Sequence, residues 1–406
     1  MTTHLSPSPS RLYFLDWVRI LAFFVLIVYH VGMVYVSWGW HVKSPHAGSA
    51  AEPFMLLSAP WRLTLLFFVA GAASRFLLGR MAPGAFLRRR SVRLLLPLLF
   101  GMLVVVPPQS YVEVVEKLGY PGGYGAFMRL YIGGYGGFCQ DGCLSLPTWN
   151  HLWFVAYLWA YTIVLGLGAL LLPATRMAAL GERVARFLSG WRLIAVPALL
   201  LGVARMLLLD RFPQDHSLSG DWYNHASYLP VFVLGALVAH APRFWLALER
   251  QRWTALALAL AGWAALVVWF AAPHESMTAQ AMKTGQMAMR CMWTLCAWSA
   301  IVAACGFARR HLDRDSAARR YLADAVFPVY IAHQTLIVVL AHAFKPLDLS
   351  PGLESLLLIV LTTTGCFALY EAVRRARLLR PLFGLAPAVS QAPSWNSHAQ
   401  RRNMVI

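Results

Sequence analysis

The sequence predicts an all-α polytopic membrane protein with about ten transmembrane helices and both termini in the cytoplasm. Of the 406 residues, 59% are hydrophobic and 13% are charged, whereas a soluble domain has about 25% charged residues. The mean hydropathy is +0.57, and the apolar residues fall into runs of about the 20 residues that a helix needs to cross a bilayer. Six cysteines are too few for a disulfide scaffold in a chain of this length. These observations exclude an ordinary soluble domain.

Ten apolar runs, each bounded by polar or charged segments, predict the ten spans. The first follows a polar stretch without the basic residues of a cleavable signal sequence, so we expect it to remain as a helix. The third begins in an arginine-rich segment, and the fourth opens on Asn150-His151. The other runs are apolar over most of their length. The spans are predicted at 12–38, 54–77, 91–108, 150–173, 191–209, 225–247, 253–272, 287–307, 321–344 and 353–373.

The basic residues orient these predicted helices. Alternate segments between the spans, starting with the N-terminus, carry 25 of the 35 Lys and Arg residues, the other segments carry 6, and 4 lie inside spans. Because cytoplasmic loops are enriched in Lys and Arg, both termini are predicted to be cytoplasmic. Orientation therefore explains the formal net charge of +18, and no nucleic-acid partner is expected. We expect one transmembrane domain, 1–373, and a flexible cytoplasmic tail, 374–406.

The longest outer segment, 109–149, is rich in Gly, Tyr and Pro, and is predicted to be a turn-rich loop with exposed aromatic rings. Such rings can stack on sugars or can form an interfacial aromatic belt. Cys139 and Cys143 lie in this loop on the predicted oxidising side. Both a local disulfide and two free thiols are compatible with the sequence.

The first span holds three ionisable residues, which are costly in a bilayer and usually mark a site or a pathway. Asp16 and Arg19 are one helical turn apart and can pair. Eleven residues separate Arg19 from His30, which places both on one face about 16 Å apart. This stripe joins a cation near the cytoplasm to an imidazole in the outer half of the membrane. The alternative for His30 is a structural histidine that bonds to a neighbouring helix.

Other intramembrane polar residues extend this pattern. Arg62 lies in the second span, where its guanidinium group can bind a carboxylate. Arg205 and Arg290 lie near the outer ends of their spans, where arginine side chains can snorkel to the interface. His151 lies at the predicted outer mouth of the fourth span, and His333 lies in the middle of the ninth. Histidines that converge from different spans would form a proton-transfer site at neutral pH.

The third span begins with the basic run Arg88-Arg89-Arg90-Ser91-Val92-Arg93. The run is either a topology signal alone or also a fork for an anionic ligand, because Arg90 and Arg93 are one turn apart. No His-x3-His pair and no Cys/His cluster with ligand spacing lies within a predicted span. No metal site is therefore predicted.

These motifs resemble the integral-membrane acyltransferase family 3, and within it the branch that acylates extracytoplasmic glucans. The pairs Arg19 with His30 and Arg90 with Arg93 match the family pattern. The narrower resemblance rests on Tyr13-Phe14-Leu15-Asp16, Trp40-His41-Val42, Arg62 nine residues before Gly71, and Asn150-His151-Leu-Trp-Phe. It covers about the first 160 residues and resumes from Tyr330 to Gln334. One departure is Ala70, which replaces a serine that is common in the family.

The resemblance implies a multi-pass enzyme of the bacterial inner membrane that moves a succinyl or acetyl group from cytoplasmic acyl-CoA to a hydroxyl of an extracytoplasmic glycan. Arg90 and Arg93 would bind the CoA phosphates, and no permanently bound cofactor is expected. His30 would act as general base or as transient acyl carrier. The candidate site residues are His30, Arg19, Asp16, His151 and His333 for catalysis, and Arg62 and Tyr330 for substrate binding. The alternative is a secondary transporter with a buried Arg/His/Asp path, against which stands the absence of a visible internal repeat.

Overall fold

The computed structural model of the chain describes residues 12–140, 142–212 and 214–387. The fold is all-α, with 76% helix, and no β-strand occurs among these residues. The helices are α1 (Tyr13–Gly32), α2 (Glu52–Leu56), α3 (Arg62–Leu78), α4 (Pro83–Phe100), α5 (Pro107–Leu118), α6 (Tyr124–Ile132), α7 (Trp153–Leu171), α8 (Ala174–Phe187), α9 (Arg192–Leu208), α10 (Trp222–Val238), α11 (Pro242–Ala271), α12 (Ala279–Leu312), α13 (Ala317–Phe344), α14 (Pro351–Arg375) and α15 (Leu379–Leu382).

Six of the described helices are long and apolar enough to cross a membrane: α1, α7, α11, α12, α13 and α14. The number rises to eight if each of two bent pairs forms one span, namely α4 with α5, bent by 41°, and α8 with α9, bent by 103°. The predicted runs 54–77 and 225–247 fall on α3 and α10, which have 17 residues each. The all-α prediction is thus confirmed, with six to eight helices of spanning length in the described part of the chain.

Helix α1 occupies the centre of the bundle, where it packs against α3, α12, α13 and α14. Its apolar side chains Phe14, Val18 and Ile27 are nearly or completely buried. Buried apolar area and close packing hold such a helix in place, and its few polar groups must then find partners inside the protein. The polar residues that the sequence places on α1, namely Asp16, Arg19 and His30, are only partly exposed.

Two glycines let the backbones of α3 and α10 touch. A Cβ atom on Gly71 would lie 1.9 Å from the carbonyl oxygen of Phe232, and one on Gly235 would lie 2.1 Å from that of Phe68. Both distances are far below van der Waals contact, so any larger residue would force the helices apart. Small residues serve membrane helix pairs in this way, and the contact fixes the position of α3 in the bundle.

The segment 109–149 is not the predicted turn-rich loop. It contains most of α5 and all of α6, and the aromatic rings of Phe127 and Tyr131 are fully buried in a small cluster with Val114 and Phe138. The expectation of exposed rings is wrong for these residues because their packing on one another stabilises two short helices. Cys139 and Cys143 form a disulfide, which decides between the two alternatives.

The predicted tail begins as packed structure. Helix α14 continues to Arg375, and after α15 the side chains of Phe383 and Leu385 are buried in the main core. Phe383 packs on Phe100 of α4 with ring centroids 5.3 Å apart. The rest of the tail, 388–406, and the N-terminal residues 1–11 lie outside the described residues.

Candidate active site

A cavity of about 410 Å³ opens at the end of α1 that carries His30. We call it the histidine cavity. Its walls come from α1, the segment after α1, α3, the turn before α7, the segment before α10, and α13. The polar and aromatic side chains that line it are Tyr29, His30, Trp40, His41, Arg62, Thr148, Trp149, Asn150, His151, Trp153, Phe154, Asp215, His216, Tyr330 and Gln334. Its volume is typical of small-ligand sites.

His30, which lines this cavity, forms a hydrogen-bonded pair with the fully buried His333 behind it. Nδ1 of His30 lies 2.8 Å from Nε2 of His333, and the rings stack with centroids 5.0 Å apart. Nδ1 of His333 lies 2.6 Å from the carbonyl oxygen of Tyr330. Because a carbonyl only accepts, this Nδ1 must carry a proton, and Nε2 of the neutral ring is then an acceptor. His30 therefore donates from Nδ1 and keeps an unprotonated Nε2.

His151 lies beside the His30–His333 pair. A 3₁₀ turn, Asn150–Leu152, starts α7 and places the His151 ring 5.2 Å from that of His333. Nε2 of His151 donates to the carbonyl of Ile331 at 3.0 Å, and the hydroxyl of Tyr330 donates to the carbonyl of His151 at 2.5 Å. His151 and Tyr330 thus tie α7 to α13 beside the His30–His333 pair.

An oriented chain of hydrogen bonds runs from this region to His41. Thr335 donates to the carbonyl of Val105 at 2.7 Å, so its oxygen accepts the amide of Gln109 at 3.0 Å. The oxygen of Gln109 then accepts the amide of Gln334 at 3.0 Å, and the same amide lies 2.9 Å from Nε2 of His41. With Nε2 accepting, His41 must carry its proton on Nδ1.

That proton points at a carboxylate. Nδ1 of His41 lies 2.5 Å from Oε2 of Glu113, whose other oxygen accepts Lys117 at 2.5 Å. A carboxylate behind an imidazole fixes the tautomer and the ring orientation. Glu113 lies behind the cavity-lining His41. Sequence reasoning did not identify this pair, because the partners are 72 positions apart and no local spacing links them.

Arg62 lies in the cavity wall as a buried cation. Its side chain is 8% exposed, and the guanidinium carbon lies 3.2 Å from the ring centroid of Tyr29. Nε and Nη1 are buried and have no hydrogen-bond partner among the described residues. Buried N–H donors without hydrogen-bond partners are costly, so the site suits an anionic ligand group. Arg205, by contrast, does not snorkel: it is buried on Trp293 with its guanidinium carbon 4.4 Å from the ring.

The opposite end of α1 borders a second cavity, of about 360 Å³, which Asp16, Arg19, Arg80 and His240 line together with apolar side chains of α1 and α3. We call it the arginine cavity. Asp16 lies 3.6 Å from Arg19 and also pairs with the buried Arg319, which ties α1 to α13. Burial lowers the pKa of His240, and the charge of Arg75 adds to this effect.

The predicted fork of Arg90 and Arg93 opens in two directions. Arg90 reaches into the bundle, towards Ser74 at 3.5 Å and Thr162 at 3.4 Å. Arg93 donates to the carbonyl of Gly384 at 3.1 Å, and it lines a groove of about 420 Å³ whose other walls include Arg88 and Arg89. The two side chains therefore do not line one cavity.

The site residues that the sequence predicts divide into two groups in space. His30, His151, His333, Arg62 and Tyr330 meet at the histidine cavity. Asp16 and Arg19 lie at the arginine cavity. Sequence reasoning missed His41, Glu113, Gln109, Asp215, His216 and Arg319. Trp40-His41-Val42 carried a signal within the family resemblance, but the others had none because they meet only through the fold. No group of three or more His, Cys, Asp or Glu residues in the described part is arranged to hold a metal ion.

Comparison with known proteins shows which proteins this chain is similar to. The chain is 24% identical to glucans biosynthesis protein C of Shigella dysenteriae serotype 1 (strain Sd197) over 410 residues, which covers 95% of this chain and 98% of that protein. The proteins of the same name from Escherichia coli K12 (DH10B) and Escherichia coli O81 (ED1a) show the same identity and coverage. No solved structure matches. The model of acyltransferase family 3, described as an acyltransferase domain, matches residues 12–371, and the chain therefore belongs to this family of acyltransferases.

Proposed function

We propose that this acyltransferase moves a succinyl or acetyl group from cytoplasmic acyl-CoA to a hydroxyl of an extracytoplasmic glycan. In this proposal ten spans cross the bacterial inner membrane, with α3 and α10 as short spans and both termini inside. Seventeen residues give a helix of about 26 Å, at the lower limit for a bilayer. The names of the relatives support a glucan as acceptor.

The observation that carries the proposal is the unprotonated Nε2 of His30 in a cavity that admits substrate. The acceptor hydroxyl would give its proton to this Nε2 while its oxygen attacks the thioester carbon. The carbon–sulfur bond then breaks, the acyl group stays on the acceptor oxygen as an ester, and the CoA thiolate takes the proton from His30. His333 accepts the Nδ1 proton of His30 in a hydrogen bond throughout, which stabilises the transient imidazolium.

A second route uses the same atoms in two steps. His30 would attack the thioester with Nε2 and hold the acyl group until the acceptor hydroxyl displaces it. The two routes differ before any acceptor is added. An acyl carrier releases about one CoA thiol per protein molecule from acyl-CoA alone, whereas a general base releases none.

The donor would reach His30 from the arginine cavity. On α3, Val69 lines the arginine cavity and Leu66 lines the histidine cavity, so three residues, a rise of about 4.5 Å along the helix, separate the two walls. Arg19, oriented by Asp16, would lie beside the thioester arm. Arg93, with its arginine-rich groove, would hold CoA phosphates at the cytoplasmic surface, and Arg90 would add positive charge inside the bundle.

Arg62 would bind the free carboxylate of a succinyl group, since its buried nitrogens have no partner among the described residues. Its position on the same cavity as His30 would let it hold the far end of a short dicarboxylic acyl chain. His151 and Tyr330 would keep the His30–His333 pair in place. His151 does so as a positioning residue, because both of its ring nitrogens have partners.

The test is the variant His30→Ala, with His46→Ala as matched control because His46 is exposed and does not line the cavity. Purified protein in detergent is given acyl-CoA and a glucan, and the free CoA thiol and the acylated glucan are measured. We expect His30→Ala to lose acyl transfer by at least about a hundredfold, in keeping with the loss of a general base, while His46→Ala keeps it. Normal acylation by His30→Ala contradicts the proposal.

A further inference from the structure

The segment before α10, residues 214–221, forms one wall of the histidine cavity through Asp215 and His216. The reacting pair lies on α1 and α13. Asp215 is exposed and His216 is partly exposed. A ligand that enters the histidine cavity from solvent and approaches the His30–His333 pair therefore meets this segment. Its structure shows why it keeps a fixed shape.

A fully buried carboxylate anchors this wall. Asp221 is 0% exposed, and its Oδ2 accepts the backbone N–H of His216 at 3.1 Å and the amide of Asn224 at 2.6 Å. The hydroxyl of Tyr157 lies 2.8 Å from the same oxygen, and Oδ1 caps the start of α10. A buried carboxylate is tolerated when hydrogen bonds replace its hydration. The wall is therefore built into the protein core and is not a loose surface loop.

The anchored backbone holds His216 in an unusual conformation. Its φ is +57°, and Asn150, also in the cavity wall, has a φ of +39°. Non-glycine residues adopt this left-handed region only when their surroundings hold them there. The ring of His216 stacks on Trp153 with ring centroids 4.3 Å apart. The backbone carbonyl of His216 accepts the indole N–H of Trp149 at 3.2 Å. Burial lowers the pKa of His216, so the ring is neutral at pH 7.

Asp215 is the only carboxylate among the described residues that line the cavity. One of its oxygens accepts the backbone N–H of Ser217 at 2.9 Å, which contributes to lowering the pKa of the carboxyl group and keeps it ionised. The rim thus offers an anionic acceptor of hydrogen bonds, a neutral imidazole and the partly exposed indole ring of Trp149. A sugar ring has hydroxyl donors at its edge and apolar C–H faces that stack on aromatic rings, so it matches this set of groups.

We infer that Asp215 and His216 form the acceptor-binding wall of the site and select an uncharged carbohydrate ring over an acidic one. This inference rests on the proposed function and assigns the acceptor side of it. Asp215 would accept hydroxyl hydrogen bonds and repel a uronic acid carboxylate. Arg62, whose Nε and Nη1 have no hydrogen-bond partner among the described residues, lies elsewhere on the same cavity. It forms no salt bridge with Asp215, so its guanidinium group remains available to the donor. In this inference the positive charge of Arg62 binds the donor, and the negative charge of Asp215 binds the acceptor.

The experiment compares Asp215→Asn and His216→Asn with the control Asp210→Asn. Asn tolerates a left-handed φ and so preserves the backbone at 216. Asp210 is an exposed aspartate just before the same segment, pairs with Arg290 and does not line the cavity. Acyl transfer is measured with a neutral glucose hexasaccharide and with a galacturonic acid hexasaccharide. We expect Asp215→Asn to raise the KM for the glucose hexasaccharide about tenfold, which is the loss of one charge-assisted hydrogen bond.

The KM for acyl-CoA should stay unchanged in both cavity variants, because neither residue lies at the arginine cavity. We expect His216→Asn to raise the KM for the glucose hexasaccharide as well, and Asp215→Asn to improve use of the acidic hexasaccharide. If Asp215→Asn has the same acceptor KM as Asp210→Asn, the inference is wrong.

A binding measurement separates failure of this inference from failure of the proposed function. Tryptophan fluorescence of the protein without acyl-CoA reports hexasaccharide binding next to Trp149 and Trp153, whether or not any transfer follows. Weaker binding of the glucose hexasaccharide by Asp215→Asn than by Asp210→Asn supports the acceptor wall even if the wild-type protein transfers no acyl group. Equal binding by the two variants, or no binding by the wild-type protein, overturns it.

Discussion

One ring nitrogen distinguishes His30 from His41, His151 and His333. Both ring nitrogens of His41, His151 and His333 have partners within the described residues, whereas His30 uses only Nδ1. A base must have a free lone pair that faces the substrate. The other three histidines hold tautomers and ring planes in place, and in the proposed reaction this leaves His30 as the acceptor of the substrate proton.

Arg62 gives a second prediction about a single residue, namely that the transferred acyl group carries a negative charge. Replacement of Arg62 by Gln should lower kcat/KM for succinyl-CoA by about 10- to 100-fold relative to acetyl-CoA, since a charge-assisted hydrogen bond to a carboxylate is lost. Arg62→Lys should restore only part of the preference because an ammonium group lacks the planar fork. The measurement is a comparison of the two donors with the same glucan acceptor.

Arg290→Gln is the matched control for Arg62, because Arg290 already pairs with Asp210 and does not line the cavity. It should leave the ratio of the two donors unchanged. A donor preference that Arg62→Gln leaves intact would show that the cation binds something other than the acyl carboxylate.

Sequence reasoning finds single residues better than it finds their partners. His30 and Arg62 stand out because an ionisable side chain in an apolar run is costly and rare. Glu113 and Asp215 lie in polar segments, where a carboxylate is ordinary, and their position in the site depends on contacts across many residues. Arg93 was identified from spacing, but spacing alone does not show that its side chain turns to Gly384.

At the scale of elements, apolar runs predict where helices lie but not where they end or bend. Helix α11 begins at Pro242, inside the run 225–247 that the sequence predicts as the preceding span. It continues through the charged segment 248–252 because charged residues tolerate a helix that extends into water. The 30 residues of α11 give a length of about 45 Å, well beyond a bilayer core. The helices α5 and α6 escape prediction because glycine and tyrosine composition indicates turns, while the packing of Phe127 and Tyr131 decides the structure.

The contact between α3 and α10 gives a prediction about stability. Gly71→Ala and Gly235→Ala should each destabilise the protein by at least about 2 kcal/mol, because the new methyl group would overlap a backbone carbonyl that cannot move away alone. Thermal unfolding in detergent should show a melting temperature lower by several degrees. Gly168→Ala in α7 is the control, since a Cβ atom there meets nothing within 4 Å. Equal melting temperatures for all three variants would mean that the two backbones are further apart than described.

At the scale of the whole molecule, the same two helices line both cavities. The α1–α3 pair borders the arginine cavity at one end and the histidine cavity at the other. In the proposed reaction, a donor and an acceptor from different compartments would therefore meet at His30 from opposite sides. This arrangement requires the histidine cavity to open to the extracytoplasmic side of the membrane. The orientation of the whole bundle decides whether it does.

Helix α12 allows that orientation to be tested, because its 34 residues extend over about 51 Å between two exposed positions, Glu275 before it and Arg314 after it. The end near Glu275 lies on the side of the histidine cavity: Trp263 of the adjoining α11 donates to the carbonyl of Pro53, in the segment between α1 and α3. We expect a membrane-impermeant maleimide to label Glu275→Cys in intact spheroplasts, and to label Arg314→Cys only after permeabilisation. Both variants carry Cys291→Ser, which removes the exposed free cysteine among the described residues. The reverse pattern would place the histidine cavity in the cytoplasm, where an extracytoplasmic glycan cannot reach His30.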